Sequence, residues 1–302
     1  MRWSTQKRIE FIEARLYWEG KISRKDLTEF FGISDPQATK DIREYIAIAT
    51  ENIQYDSSAK QYVATPNFDP KISTLSSEKY LTLLKLLGEK KGRDKFFNGT
   101  APPFSVMPSL RRFVDTEVLK GLLKNIRDNN AVKINYQSMS FPYPKERWIT
   151  PHSLAYDCSR WHVRALCHDS KKYKDFNLGR ILSIADSVRH VFDHSIDYEW
   201  HNEIDITIAP NPLLDDGHKA LIERDYCMEG GKITVSLKAA FFYYFKLQHG
   251  FKDGHEKNPP KEQQIILLNL AEAETKIDLL KSMTKNILNK LPNFPTFEGK
   301  QD

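Results

Sequence analysis

Seven residues near the start of the chain carry side chains suited to nucleic acid: Arg24, Ser34, Gln37, Thr39, Lys40, Arg43 and Lys60. Four of them fall within "QATKDIR". The Gln37 amide has the donor and acceptor that match adenine, Lys40 and Arg43 suit guanine or phosphate, and Thr39 can meet a thymine methyl. If a helix begins at Ser34, its first backbone amides can hold a phosphate. Asp35 would repel one, so it points away or joins the cap. Arg24 and Lys60 are expected to touch phosphates, which orients a protein on a duplex without reading sequence.

The flanking sequence supplies elements that could position these groups. "TQKRIEFIEARLYWE" places Ile9, Ile12 and Leu16 on one face at helical spacing, and Gly20 ends that helix. Ser23 caps a second short helix closed by Gly32. Ser34 opens a third, with Pro36 in its first turn. Ser34 and Gln37 have the S-x-x-Q spacing of a capping box. Ala38, Ile42, Tyr45 and Ile46 should face inward. "NIQYDSSAKQYVAT" then reads as two strands around a turn. Two helices, a tight turn and a hairpin describe a winged helix-turn-helix, whose second helix enters the major groove. The alternative is a helical docking module with solvated charges. The balance of ten basic and ten acidic residues in 1–60 favours the alternative, while the turn and hairpin favour DNA.

The remaining chain has a charge gradient. Residues 78–180 hold 20 Lys/Arg against 10 Asp/Glu, whereas 181–302 hold 14 against 19. The basic middle is a candidate for meeting an anion. A Pro- and Ser-rich segment, 66–77, reads as a linker, followed by amphipathic helices in "SEKYLTLLKLLGEKKG" and "RRFVDTEVLKGLLKNIRDNN". From Ala131 the period becomes two through "VKINYQS", "RWITPHSLAY", "RWHVRALCHD" and "YKDFNLGRILSIADSVRHVF". Residues 204–295 mix strands and helices, among them "FFYYFKLQHG" and "EAETKIDLLKSMTKNILNKL". In "RWHVRAL", Trp161, Val163 and Ala165 alternate with His162, Arg164 and Leu166, and Trp161 is expected in the core.

The segments "INYQS", "ITPHSL", "RWHVRALCHD" and "FNLGRI" resemble the WYL domain of bacterial transcriptional regulators. Trp161-His162-Val163 stands where the family carries Trp-Tyr-Leu. Lys174-Asp175 replaces a pair that often includes Arg, and Gly179 replaces a common Asp. With His162 and Arg164, the chain resembles the BrxR/CapW-like repressors found beside phage-defence operons. The resemblance implies an Sm/SH3-like β-barrel binding a nucleotide or nucleic-acid effector. Its pocket would comprise Tyr136, Ser138, His152, Arg164 and Arg180. The residue chemistry agrees: arginine forks fit phosphate, and Tyr136 offers a face for a base. His152 as a satisfied buried histidine and Arg180 as an ion-pair partner remain open.

No catalytic constellation emerges: GxSxG, HExxH, P-loop and GxGxxG patterns are all missing. His162 and His168, with Cys167 adjacent, lie on one strand, and six extended residues span about 20 Å, too far for one metal. Asp215 and Asp216 read as an acidic helix start. The three cysteines, Cys158, Cys167 and Cys227, suit neither a disulfide framework nor a zinc site. No apolar run reaches the length of about 18 residues that suggests a membrane span, and the first residues lack a signal peptide's apolar region.

The expected fold is α+β: a winged helix-turn-helix (1–65), a helical connector (66–124), the WYL barrel (125–200) and a C-terminal α/β dimerisation extension (201–302). The expected protein is a cytoplasmic, homodimeric regulator without cofactor or metal. It would bind an inverted repeat in double-stranded DNA, in the preferred reading as a repressor. An RNA- or single-strand-binding protein using the barrel, or an activator of the same architecture, are the alternatives.

Overall fold

The computed structural model describes residues 3–89, 100–108, 110 and 112–291. The chain divides into two compact units, 1–111 and 112–302. In the first, α1 (Trp3–Glu19), α2 (Arg24–Phe31) and α3 (Asp35–Ile48) pack around Ile9, Ile12, Leu16, Leu27, Ala38, Ile42 and Tyr45. The inward residues expected of α1 and α3 are thus buried, except that Ile46 is only half-buried. Strands β1 (Lys21–Ile22), β2 (Ile53–Asp56) and β3 (Gln61–Ala64) form an antiparallel sheet in the order β1-β3-β2. The two-residue β1 is too short to show a period. The unit also contains α4 (Ser77–Glu89).

Local capping chemistry fixes the helix-turn-helix. Ser23 and Asp26 form a reciprocal capping box at α2, with Ser23 N donating to Asp26 Oδ2 at 2.7 Å and Asp26 N to Ser23 Oγ at 3.4 Å. Gly32, in the left-handed region at φ 67°, ends that helix. The box expected at α3 does not form. Ser34 is the N-cap but makes no side-chain cap bond, and the Gln37 side chain, which would supply the return half of the box, turns toward Asp41. Buried Glu13 accepts from the backbone amides of Lys71, Ile72 and Ser73 at 2.7, 3.1 and 2.6 Å, tying the segment after the hairpin to α1.

The second unit begins with α5 (Thr116–Asp128), whose N-cap Asp115 accepts from Glu117 N and Val118 N. It packs Val118 and Leu122 onto β4 (Asn130–Tyr136), β5 (Lys145–Tyr156), β6 (Trp161–Cys167), β7 (Lys172–Asn177) and β8 (Ile181–Arg189). These strands form an antiparallel sheet in the order β7-β6-β5-β4-β8. Among the described residues β7 and β8 are its two edges and do not pair, so the expected closed barrel is an open sheet.

There follow α6 (Tyr198–His201), β9 (Glu203–Pro210), α7 (Asp216–Asp225), β10 (Ile233–Lys238), α8 (Phe242–His249), β11 (Ile265–Leu267) and α9 (Leu270–Lys290). A sheet in the order β10-β9-β11 buries Ile204, Ile206 and Ile208 against α7, α8 and α9. Leu288 of α9 also packs on Leu166 and Tyr173 of the central sheet. No helix among the described residues is long and apolar enough to cross a membrane.

Candidate functional site

Helix α3 displays the expected polar residues unevenly. Lys40 and Arg43 are exposed, one helical turn apart, as are Ser34 and Asp35 at its start. Thr39 is half-buried and its hydroxyl donates to the Asp35 carbonyl at 2.9 Å, leaving its methyl as the group for contact. Arg24 is exposed at the first position of α2, and Lys60 is exposed in the β2–β3 turn at φ 51°.

Gln37 is half-buried, and its Nε2 donates to Asp41 Oδ1 at 2.8 Å. Asp41, wholly buried, is in turn gripped by Arg8 of α1, at 2.6 Å from Nε and 3.2 Å from Nη2. Arg8 also donates to the Ser4 carbonyl and the Thr5 hydroxyl. A buried carboxylate is tolerated only when paired and hydrogen-bonded. This ion pair therefore fastens the underside of α3 to α1. Asp41 falls on the inward stripe with Ala38, Ile42 and Tyr45, and a charged residue on such a stripe signals a buried partner.

The pocket carried over from the family resemblance is rearranged. Tyr136 lies in the core beneath the sheet, edge-to-face with Phe176, and its hydroxyl accepts from Asn177 N. It offers no open face for a base. Trp161, expected in the core, is 48% exposed beside Tyr156. It sits at the first position of β6, beyond the packed part of the sheet. Val163, Ala165 and Cys167 fill one side of β6, while His162, Arg164 and Leu166 are buried on the other.

Arg164 and His152 converge on one carboxylate, Asp197, just before α6. Arg164 Nε and Nη2 each lie 2.8 Å from it, and His152 Nε2 lies 3.1 Å away. Asp175 and Glu199 stand at 3.4 and 3.5 Å from the same guanidinium, and Tyr244 donates to Asp175 at 3.2 Å. Burial works to raise the Asp197 carboxyl, but the bonds and charges of Arg164 and His152 hold it below the usual carboxylate range. Glu199 is raised, mainly by burial. Ser138 and Arg180 are half-buried, and among the described residues neither bonds to this cluster. The His152 side chain is thus buried and bonded to Asp197, and among the described residues ion pairs form at Arg164 rather than at Arg180.

Beside the cluster a cleft of about 620 Å³ opens between β7, α8 and α9. Lys172, Lys174, Lys281, Lys285 and Tyr243 line it, with Arg164 at its wall. Its volume falls in the ordinary range for small-molecule sites, roughly 300–1,000 Å³. The lysines of β7 belong to the basic stretch noted in the sequence. Those of α9 lie more than a hundred residues on and could not be joined to them from one chain.

Three family models match this chain. The BrxR transcriptional regulator winged helix-turn-helix domain matches residues 4–86, the WYL domain residues 117–185, and the BrxR transcriptional regulator C-terminal dimerization domain residues 203–273. The DNA-binding transcriptional repressor CapW of Escherichia coli is 39% identical over 272 residues, which covers 90% of this chain and 91% of that protein. CapW of Pseudomonas aeruginosa is 35% identical over the same shares, and CapW of Stenotrophomonas maltophilia 33% identical over 91% and 92%. With all three domains in the same order and identity at this level along nine-tenths of its length, the chain belongs to the BrxR/CapW family of WYL-domain transcriptional repressors.

Proposed function

We propose that this protein is a homodimeric repressor that binds an inverted repeat in double-stranded DNA through α3 and the β2–β3 wing. The observation that carries the reading is the exposure of Lys40 and Arg43 on a helix whose other face is fixed by Arg8 and Asp41. Gln37 and Thr39 face the bases, Lys40 and Arg43 reach guanine or phosphate, and the helix start at Ser34 joins Arg24 and Lys60 as phosphate contacts. Similarity to DNA-binding repressors supports the same assignment, as does membership of a family of repressors rather than enzymes. The regulated genes are a phage-defence operon, and the protein works in the cytoplasm. The segment with the dimerization-domain match supplies the two-fold contact, with "FFYYFKLQHG" as the aromatic contribution.

An effector carrying phosphate, a nucleotide or short oligonucleotide, occupies the lysine-lined cleft, with Tyr243 available to a base. It alters DNA affinity by favouring one dimer geometry over another. A footprint of the purified protein on DNA upstream of its own gene tests the core of this reading. Protected half-sites about one helical turn apart, or a multiple of it, are expected. Preference for the single strand over the duplex in a gel shift would instead favour a single-strand-binding protein. A reporter that falls rather than rises when the gene is deleted would mean an activator.

A further inference from the structure

The recognition helix contains a hydrogen-bond relay that no domain match assigns. Arg8 donates through Nε and Nη2 to Asp41, and Asp41 Oδ1 accepts from Gln37 Nε2 at 2.8 Å. A carboxylate only accepts, and an Asn or Gln amide has its donor on nitrogen alone. The nitrogen end of Gln37 must therefore face Asp41, and the carbonyl end faces away. Asp41 cannot turn to release it, because the carboxylate is wholly buried and held at its other oxygen by Arg8 at 2.6 Å.

A glutamine free to rotate its amide can offer either end to a base. This one keeps its nitrogen end on Asp41 and turns its carbonyl outward, so we infer that Asp41 is a positioning residue that makes Gln37 a fixed hydrogen-bond acceptor in the major groove. There it selects bases bearing an amino donor, adenine N6 or cytosine N4, over guanine and thymine, which present acceptors at the equivalent position. The inference rests on the reading of α3 as the helix that enters the groove. It sharpens the expectation of a paired adenine contact: the acceptor end decides, whether or not the second amide hydrogen also engages.

The test starts from a duplex recovered by the full-length protein from a randomised pool. All four base pairs are placed at each position, and affinities are measured for the wild type and Gln37→Ala. One position per half-site should lose its preference in Gln37→Ala. At that position the wild type should favour adenine or cytosine over guanine or thymine on the contacted strand by about fivefold. Asp41→Asn should then shrink that ratio below about twofold, because the side-chain amide introduced there can donate to the Gln37 carbonyl and turn the glutamine round.

Preference for guanine or thymine at the Gln37-dependent position overturns the inference, and so does the absence of any such position. A uniform loss of affinity in Asp41→Asn, with the ratio unchanged, reduces Asp41 to a structural role and overturns its positioning role. The wild-type measurement needs no variant of Asp41 to fold. Lys40→Ala and Arg43→Ala serve as the control. If they weaken duplex binding while Gln37→Ala changes no preference, the recognition helix stands and only the fixed acceptor falls.

Discussion

Asp197 holds both arms of the Arg164 guanidinium at 2.8 Å, and its carboxylate is fully shielded from water. Such a pair adds little net stability over a well-packed apolar substitute, but losing one partner leaves an uncompensated buried charge. Asp197→Ala should therefore destabilise the second unit by about 3–5 kcal/mol. Asp175 and Glu199, already close to Arg164, should reduce the loss toward the lower end. Urea unfolding of both proteins checks this, and a change below about 1 kcal/mol would mean that Arg164 is held by its other neighbours.

Lys40→Ala and Arg43→Ala should each weaken duplex binding and also flatten its salt dependence. Each phosphate contact removed lowers the slope of log affinity against log salt by about 0.9. Titrations at several salt concentrations separate this from base readout, which lowers affinity without changing the slope. An unchanged slope in both variants would move Lys40 and Arg43 off the phosphates.

Three histidines give the fold a defined acid limit. Thr150 Oγ1 lies 2.7 Å from His168 Nε2 and 3.0 Å from His190 Nδ1. One hydroxyl proton serves one ring, so the other ring donates to the oxygen. Burial, with the nearby His190 and His194, pushes His168 down to about 3. Burial and His152 push His194 down to about 4, and burial lowers His190. All three are neutral in the fold, while the unfolded chain gains protons below about pH 6.5. Stability should therefore fall as pH drops below about 6.5, by up to about 1.4 kcal/mol per unit for each of His168 and His194 until their folded values are reached, with a smaller, solvent-screened share from His190. Urea midpoints between pH 8 and 5 read this directly. A flat profile would show that the rings already carry protons in the fold.

Gly179→Ala should destabilise the central sheet by about 1–3 kcal/mol. A Cβ there would lie 2.6 Å from the Phe113 carbonyl oxygen, and backbone cannot step aside as a side-chain tip can. Gly121→Ala is the comparison: its nearest atom, at 2.9 Å, is the mobile Cδ1 of Ile184. Thermal unfolding should rank the first well below the second.

Much of this organisation was legible in the residues. Helical spacing located α1, α3 and α9, and the switch to a period of two located the central strands, because each element has one apolar face. The pocket was less legible. Tyr136 shares its parity on β4 with Val132 and Ile134, so alternation alone consigns it to the core. Strand β6 misleads differently: both its faces are covered, and a period of two cannot distinguish solvent from a second packed layer. Asp197 lies 33 residues beyond Arg164, and nothing in the short segment around it announces that partner. The relay from Arg8 to Gln37 also spans separate helices, and only the inward position of Asp41 hints at it.

The link around Asp197 has a thermodynamic corollary for residues 112–302. The same short segment is held by the Thr284 hydroxyl, which donates to the Ile196 carbonyl at 2.8 Å and accepts from Tyr198 N at 3.2 Å. Leu288 then shares a small apolar cluster with Leu166 and Tyr173. Melting α9 would strip partners from the central strands, and fraying β6 would strip them from α9. The two sheets should consequently denature as a single cooperative block, with one calorimetric peak where a looser joint would give two.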